Sequence, residues 1–336
     1  MGGSYRPNGR WHIEGVSQCL VVSWYSWPET VLQPTPSGFA SSDLELVEIA
    51  GEDPRYQMHR DVIALAPGGR GIAGVSNEGV CDRLTNMLLV SKIAKMTGRT
   101  PCWAWPLLPT CNCRFHELFE ADSLVVSDIP LPLGPRIAES GMRVPGIIEA
   151  AKGFDSEPWL HLENGYYGHN YDGLDELVSP SREIQRLLRD YMNAFWSDRV
   201  VGVHIRRTDK ADFSPSLQHY FHILDELSDG AGGFRIFLAS DDPHCKELLV
   251  ERYGKRVIDY PVRSHRRDVP EGIIDAVVCL YLLRRTQGVI GSKISGYSMC
   301  AGWDCGFVDV PAPGFIWNIP WSGERFDFRP VRLPSF

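Results

Sequence analysis

Between residues 200 and 305 the chain alternates short apolar runs with amphipathic stretches, and this alternation restricts its possible folds more than any other feature. The pattern predicts strands over 200–205, 234–240, 257–260 and 288–292. Helices are expected near 216–228, 243–253, 271–285 and from about 297. Strands that alternate with helices make parallel sheets, because each crossover helix returns the chain to the same edge and covers a face. The expected class is α/β, with a doubly wound parallel sheet in the C-terminal part. A helix over about 180–195 delivers the chain to the first of these strands. Ser179-Pro180-Ser181 offers a hydroxyl cap with proline in the first turn, and Ile184, Leu187, Leu188, Tyr191, Met192 and Phe195 follow at spacings of three and four.

That first strand ends abruptly in charge. Val200 to Val203 is apolar, and His204, Arg206, Arg207, Asp209 and Lys210 follow. Open parallel sheets bind ligands at the carboxyl ends of their strands. Two adjacent arginines there suit a phosphate or pyrophosphate, whose oxygens match the donor fork of a guanidinium. Asp209 is a candidate to hold one guanidinium in place. Taken alone, an HxRRxD segment fits a strand end with solvated charges equally well.

A chain of 336 residues with 43% hydrophobic content is long enough for two domains and a large core. Its formal net charge of -8 argues against a general affinity for nucleic acid, so an anionic ligand needs a local basic site. No apolar run approaches the roughly 18 residues of a membrane span, and the N-terminus is polar where a signal peptide is apolar. The expectation is a soluble, cytoplasmic protein without a transmembrane segment. The nine cysteines are odd in number and scattered through apolar stretches, as reduced intracellular thiols are. Cys111 and Cys113 with His116 do not complete four ligands, and no metal site is expected.

The N-terminal part is less regular. Strands are expected over Val21 to Trp27, Leu44 to Ile49 and Asp61 to Ala66. Gly69, Gly71 and Gly74 spell GxGxxG after the last of these, but the helical pattern starts only near Asp82 and no carboxylate stands about 20 residues on. A flexible loop, or a glycine loop whose amides approach some other phosphate, fits better. Leu84, Met87, Leu88, Ile93 and Ala94 then mark a helix, followed by a strand ending in Trp103-Ala104-Trp105. A short helix over Phe115 to Phe119 and a strand over Ser123 to Val126 come next. Pro130 to Pro145 reads as an excursion. Trp159, His161, Tyr166, Tyr167, His169 and Tyr171 form an aromatic patch that suits either a sugar-stacking surface or an ordinary half-buried loop.

Three segments together resemble a known superfamily in order and approximate spacing. They are Gly202-Val203-His204-Ile205-Arg206-Arg207-Thr208-Asp209-Lys210, then Phe237-Leu238-Ala239-Ser240-Asp241-Asp242-Pro243, then Ile290-Gly291-Ser292 with Ser295-Gly296-Tyr297-Ser298. They resemble the α1,6-fucosyltransferases, including the NodZ-like enzymes, and more distantly the protein O-fucosyltransferases. Upstream, Gly79-Val80-Cys81-Asp82-Arg83-Leu84 and Thr97-Gly98-Arg99-Thr100 look like the glycine loop and helix of the N-terminal half. The resemblance is specific over about 200–300 and looser over about 65–125.

It implies a GT-B-like fold, with two Rossmann-like domains facing a cleft. Residues 1–195 would form the acceptor-side domain, 196–310 the GDP-binding domain and 311–336 a tail that either crosses the cleft or straps the surface. The implied reaction is inverting, metal-independent transfer of fucose from GDP-fucose to a glycan, chitooligosaccharide-like in the narrower version, with no cofactor. Arg206 would bind the pyrophosphate and stabilise departing GDP, helped by Arg207 and Asp209. His204 would border the nucleoside, and Asp241 and Asp242 would line the nucleotide pocket and bind no metal. Ser295, Gly296 and Tyr297 would supply a second phosphate contact, and the Gly79 loop with Arg83 would close over the phosphates. The chain departs from the family pattern twice. The guanine-reading carboxylate falls nearest Cys279, with Asp275 one helical turn earlier as the substitute. The candidate base falls at Ser214, with Asp212 the nearest carboxylate. A transferase for another nucleotide sugar, a nucleotide-sugar binding protein that has lost catalysis, and an NAD-dependent oxidoreductase are the alternatives.

Overall fold

The computed structural model describes residues 70–122, 125–127, 135–138, 142, 144–162, 170–197, 199–207, 214–231 and 233–310, with the backbone of five strands between residues 9 and 47. Those five are β1 (Gly9–Ile13), β2 (Leu20–Trp24), β3 (Thr30–Thr35), β4 (Gly38–Ala40) and β5 (Glu45–Val47). They pair in chain order as an antiparallel sheet. The strand expected over 61–66, the tyrosines at 166 and 167, His169 and the tail after 310 lie outside the described residues.

A four-stranded parallel sheet follows, ordered β10-β6-β7-β9. Its parts are β6 (Gly71–Val75), α1 (Val80–Thr97), β7 (Thr100–Ala104), α2 (Phe115–Leu118), β8 (Phe119–Glu120), β9 (Val125–Ser127), α3 (Val144–Gly153) and β10 (Trp159–Leu162). The order places the first strand between the second and the last, which is the Rossmann arrangement. The glycine run is not a loop, as the sequence suggested. Gly71 and Gly74 lie inside β6, a fully buried strand, and make room for indoles: a Cβ at Gly71 would stand 2.3 Å from Trp159, and one at Gly74 2.5 Å from Trp103. Trp159 and His161 are likewise buried in β10 and form no exposed aromatic surface. Gly98, at φ +61°, ends α1 in the left-handed conformation that glycine adopts without steric cost.

The chain then passes α4 (Leu174–Leu177), β11 (Ser179–Pro180), which pairs with β8, and α5 (Arg182–Phe195). Ser181 caps α5 by accepting from the Ile184 N–H at 3.4 Å, so Pro180 precedes the cap and does not occupy the first turn. A second parallel sheet contains β12 (Val200–Ile205), β13 (Arg235–Ser240), β14 (Val257–Asp259), β15 (Val289–Gly291) and β16 (Phe307–Asp309). Its order is β14-β13-β12-β15-β16, with α6 (Leu217–Ala231), α7 (Pro243–Tyr253), α8 (Pro270–Arg284) and α9 (Gly296–Gly302) as connections. β16 was not anticipated from the sequence. Val201, Val203, Ile236, Leu238 and Ile290 are buried among the strands, and α8 is buried along most of its length. Each such aliphatic side chain contributes about 1.5–3 kcal/mol on leaving water. The sheet is therefore a stiff support for whatever its carboxyl edge carries.

Among the described residues, several contacts join the two halves that carry the parallel sheets. Tyr171 Oη donates to the carbonyl of Gly296, the first residue of α9, at 3.0 Å. Asn112 donates from its backbone to Arg267 O at 3.0 Å and from its side chain to Asp268 O at 2.8 Å. Arg284 reaches Asp175 at 3.0 Å.

Candidate functional site

Consecutive connections leave β12 and β15 in opposite directions along the sheet, and the crevice this reversal opens is where such sheets take ligands. A cavity of about 400 Å³ occupies the carboxyl edge of β12, β13 and β14. The N-terminal half closes it with Gly79 to Asp82 and Thr110, while the wall opposite is one face of α8. His204, Arg206, Asp241, Asp242 and Tyr297, all singled out from sequence, border this one space.

His204 is the penultimate residue of β12 and is buried. Its Nδ1 lies 2.6 Å from Ser298 Oγ, and its ring packs on Tyr297 with centroids 4.6 Å apart. Burial pushes its pKa down to about 4 against a weaker upward pull from Asp241, so the imidazole is neutral at neutral pH. Tyr297 is fixed in turn by donating its hydroxyl to Ala276 O at 2.6 Å.

The two arginines divide their tasks. Arg206 borders the cavity, half-buried. Arg207 turns to the loop after β13, its N–H donating to Asp241 at 2.8 Å and its Nε lying 3.7 Å from Asp242. Asp242 also caps α7 through the His244 N–H at 3.0 Å, with Pro243 in the first turn. The carboxylate pair thus shapes a strand-end loop. Among the described residues no three His, Cys, Asp or Glu side chains converge as a metal site would require.

From the other half, α1 points its N-terminus at the cavity. Gly79 supplies no side-chain cap, and Val80, Cys81 and Asp82 line the space. First-turn amides have no intrahelical acceptor and carry the positive end of the helix dipole, which favours an anion. Arg83 does not join them. It is fully buried, donates to Glu78 O at 2.8 Å and Pro106 O at 2.9 Å, and stacks 4.8 Å from the Trp105 ring. Its role is to hold the loops beneath the site.

Other expected residues are placed differently. Asp275 has no exposed surface and receives the Arg263 guanidinium at 2.7 Å and the Arg263 N–H at 2.6 Å, so it does not border the cavity. Ser295 is buried and accepts from the Ser298 N–H at 3.4 Å, closing its own helix start, and neither it nor Gly296 lines the space. Asp209 and Asp212 lie outside the described residues. Ser214 donates to the Arg206 carbonyl in a short hydrogen bond. The sequence reading missed Lys246 and the loop from Tyr260 to Arg267, both part of the wall. The loop carried a signal: Arg263-Ser264-His265-Arg266-Arg267 is a second basic cluster directly after a strand.

No protein-family model matches the chain, and no curated protein matches it. Solved structures do. Fucosyltransferase NodZ from Bradyrhizobium aligns over 69% of this chain and 92% of its own, at 17% identity and a TM-score of 0.51. NodZ alpha-1,6-fucosyltransferase soaked with GDP-fucose aligns over 69% and 91%, at 17% identity and 0.53. The same enzyme co-crystallized with GDP gives 69% and 91%, at 16% identity and 0.51. Two Rossmann-ordered parallel sheets closing on one cavity, together with this likeness, give the chain the GT-B-like α/β fold of the NodZ fucosyltransferases.

Proposed function

We propose that the chain is a glycosyltransferase that moves fucose from GDP-fucose to a glycan, without a metal ion and with inversion at the anomeric carbon. The observation that carries this reading is that Arg206 and the N-terminus of α1 border the same cavity from opposite halves. The similar NodZ structures hold GDP or were soaked with GDP-fucose.

In such a transfer the acceptor hydroxyl attacks the anomeric carbon from the face opposite GDP. The carbon–oxygen bond to phosphate breaks, and its electron pair leaves with the β-phosphate. A guanidinium and helix amides offset that charge where another enzyme would use a divalent ion, and one such contact is commonly worth about 3 kcal/mol of barrier. Neutral His204 borders the same cavity as Arg206 without adding charge of its own. Asp209 is assigned to orienting Arg206, and Asp212 to accepting the acceptor proton. Residues 1–195 are assigned to the acceptor side, 196–310 to the donor and 311–336 to a tail. The acceptor is taken to be a glycan of the chitooligosaccharide kind. A reducing, cytoplasmic setting goes with this reading, supported by eight described cysteines that are all free.

The capture of Asp275 by Arg263 favours a second reading, in which the donor carries another base. Calorimetric titration with GDP, UDP, ADP and NAD, without metal, on wild type and Arg206→Ala separates the two. Selective GDP binding that weakens in the variant is expected. Preference for UDP or ADP would move the donor assignment to the second reading, and preference for NAD would revive the oxidoreductase.

A further inference from the structure

The cavity has a charged end and an apolar end. Arg206 and the first turn of α1 define the former, where a diphosphate sits under the reading above, on which this inference rests. At the other end Tyr260, Pro261 and Val262 face Ile273, Ala276 and Val277, two apolar surfaces suited to a flat base. No carboxylate of α8 borders that end: the lining residues of the helix are Gly272, Ile273, Ala276, Val277, Cys279 and Leu280. Asp275 is turned away and held by Arg263. Asp259, at the edge of β14, is paired with Lys246 at 2.5 Å.

The loop that joins the two apolar surfaces instead presents Ser264, His265 and Arg267 to the cavity. It is tied to α8 at its start and bridged within itself. Arg263 anchors it to Asp275, and Arg266 closes on Asp268 at 2.6 Å. Gly272 packs so closely beneath it that a Cβ would stand 1.8 Å from the Arg266 carbonyl. Asn112, from the other half of the molecule, grips the carbonyls of Arg267 and Asp268. The backbone carrying Arg267 is therefore fixed from both halves.

A guanidinium carried on a fixed backbone beside a base pocket is suited to acceptors. Guanine presents two, O6 and N7, on one edge at the spacing of an arginine fork, whereas adenine sets an amine beside its N7. We propose that Arg267, with Ser264 and His265 beside it, reads the O6/N7 edge of the donor guanine, and that Asp275 serves by anchoring the loop through Arg263. The base is then selected from the edge opposite to the one that a carboxylate would read.

The experiment is calorimetry of the full chain with GDP, IDP, 7-deaza-GDP and ADP, on wild type, Arg267→Ala and Arg267→Lys. IDP lacks only the 2-amino group, which this arrangement does not use, so it should bind within about twofold of GDP. 7-Deaza-GDP loses N7 and should bind about fivefold or more weakly to wild type, while ADP falls about 5- to 150-fold below GDP. Arg267→Ala should lose most of the GDP preference over ADP, and Arg267→Lys should keep only part of it, because an ammonium still donates but lacks the fork. Wild type binding 7-deaza-GDP as tightly as GDP would overturn the assignment without a mutant having to fold. So would an Arg267→Ala protein that keeps full preference for GDP. If wild type binds no GDP, or binds UDP better, the donor reading itself fails and this inference with it.

Discussion

Arg263 lies within 2.7 Å of the Asp275 carboxylate, although the arginine side chain is 51% exposed and the aspartate is wholly buried. The pair is asymmetric in consequence. Removing Arg263 leaves a buried carboxylate without its countercharge, whereas the arginine alone would remain solvated. Arg263→Ala should therefore destabilise the protein by on the order of 3 kcal/mol, read as a lower urea midpoint at unchanged m-value. Arg263→Lys should recover less than half of that loss, because an ammonium does not reproduce the guanidinium's contacts with both oxygens.

Arg206 stands at the opposite extreme, half-buried on the cavity wall. Under the proposed reading its charge acts mainly on the departing phosphate. Arg206→Ala should lower kcat with GDP-fucose about a hundredfold or more, while the unfolding midpoint changes little. A variant that lost its fold and its activity together would instead mark Arg206 as structural. Circular-dichroism melts beside a product assay distinguish the outcomes.

His204 gives the molecule an acid-side weakness. Its folded pKa of about 4 lies below the ordinary value of 6.5, because burial disfavours the charged ring. Between those two values the unfolded chain binds the proton and the folded one does not, so stability falls as pH drops from 6.5 toward 4 and levels off below. The integrated effect is roughly 3 kcal/mol. Urea midpoints measured across that window should decline in wild type, and His204→Gln should flatten the decline even where its stability at pH 7 is lower.

The legible parts of this chain are those where local pattern and global role coincide. Strands β12, β13 and β15 are largely aliphatic runs bounded by charge or turns and buried along most of their length, and each was placed within a residue or two, as was β14, where Ile258 alone is buried. β16 escaped because Phe307, Val308 and Asp309 are only half-buried. The glycines of β6 were misread because the indoles that require them arrive from Trp103 and Trp159, distant in sequence. Asp275 was misplaced by helical arithmetic: Cys279, one turn away, does border the cavity, but the capture of Asp275 by Arg263 was not visible in spacing. The cationic loop after β14 was passed over because it lies between elements, yet it carries the same strand-then-arginine signature that identified Arg206.

The misread glycines make their own prediction. In an extended buried strand, glycine costs conformational entropy that alanine would save, so Gly→Ala is ordinarily worth about 0.4–1 kcal/mol of added stability where space allows. At Gly71 it does not. The new methyl would meet three ring atoms of Trp159 between 2.3 and 2.7 Å, in a sheet whose neighbouring strand holds that indole in place. Overpacking of this kind typically costs 1–3 kcal/mol, which outweighs the entropic gain. Gly71→Ala should thus lower the unfolding midpoint. The clash lies with the six-membered ring of the indole, so Trp159→Phe, which shortens the side chain, should relieve it. The double variant Gly71→Ala/Trp159→Phe should be more stable than the sum of the single changes implies, by about 1 kcal/mol or more of coupling. Strict additivity in the urea midpoints would show that Gly71 is there for another reason.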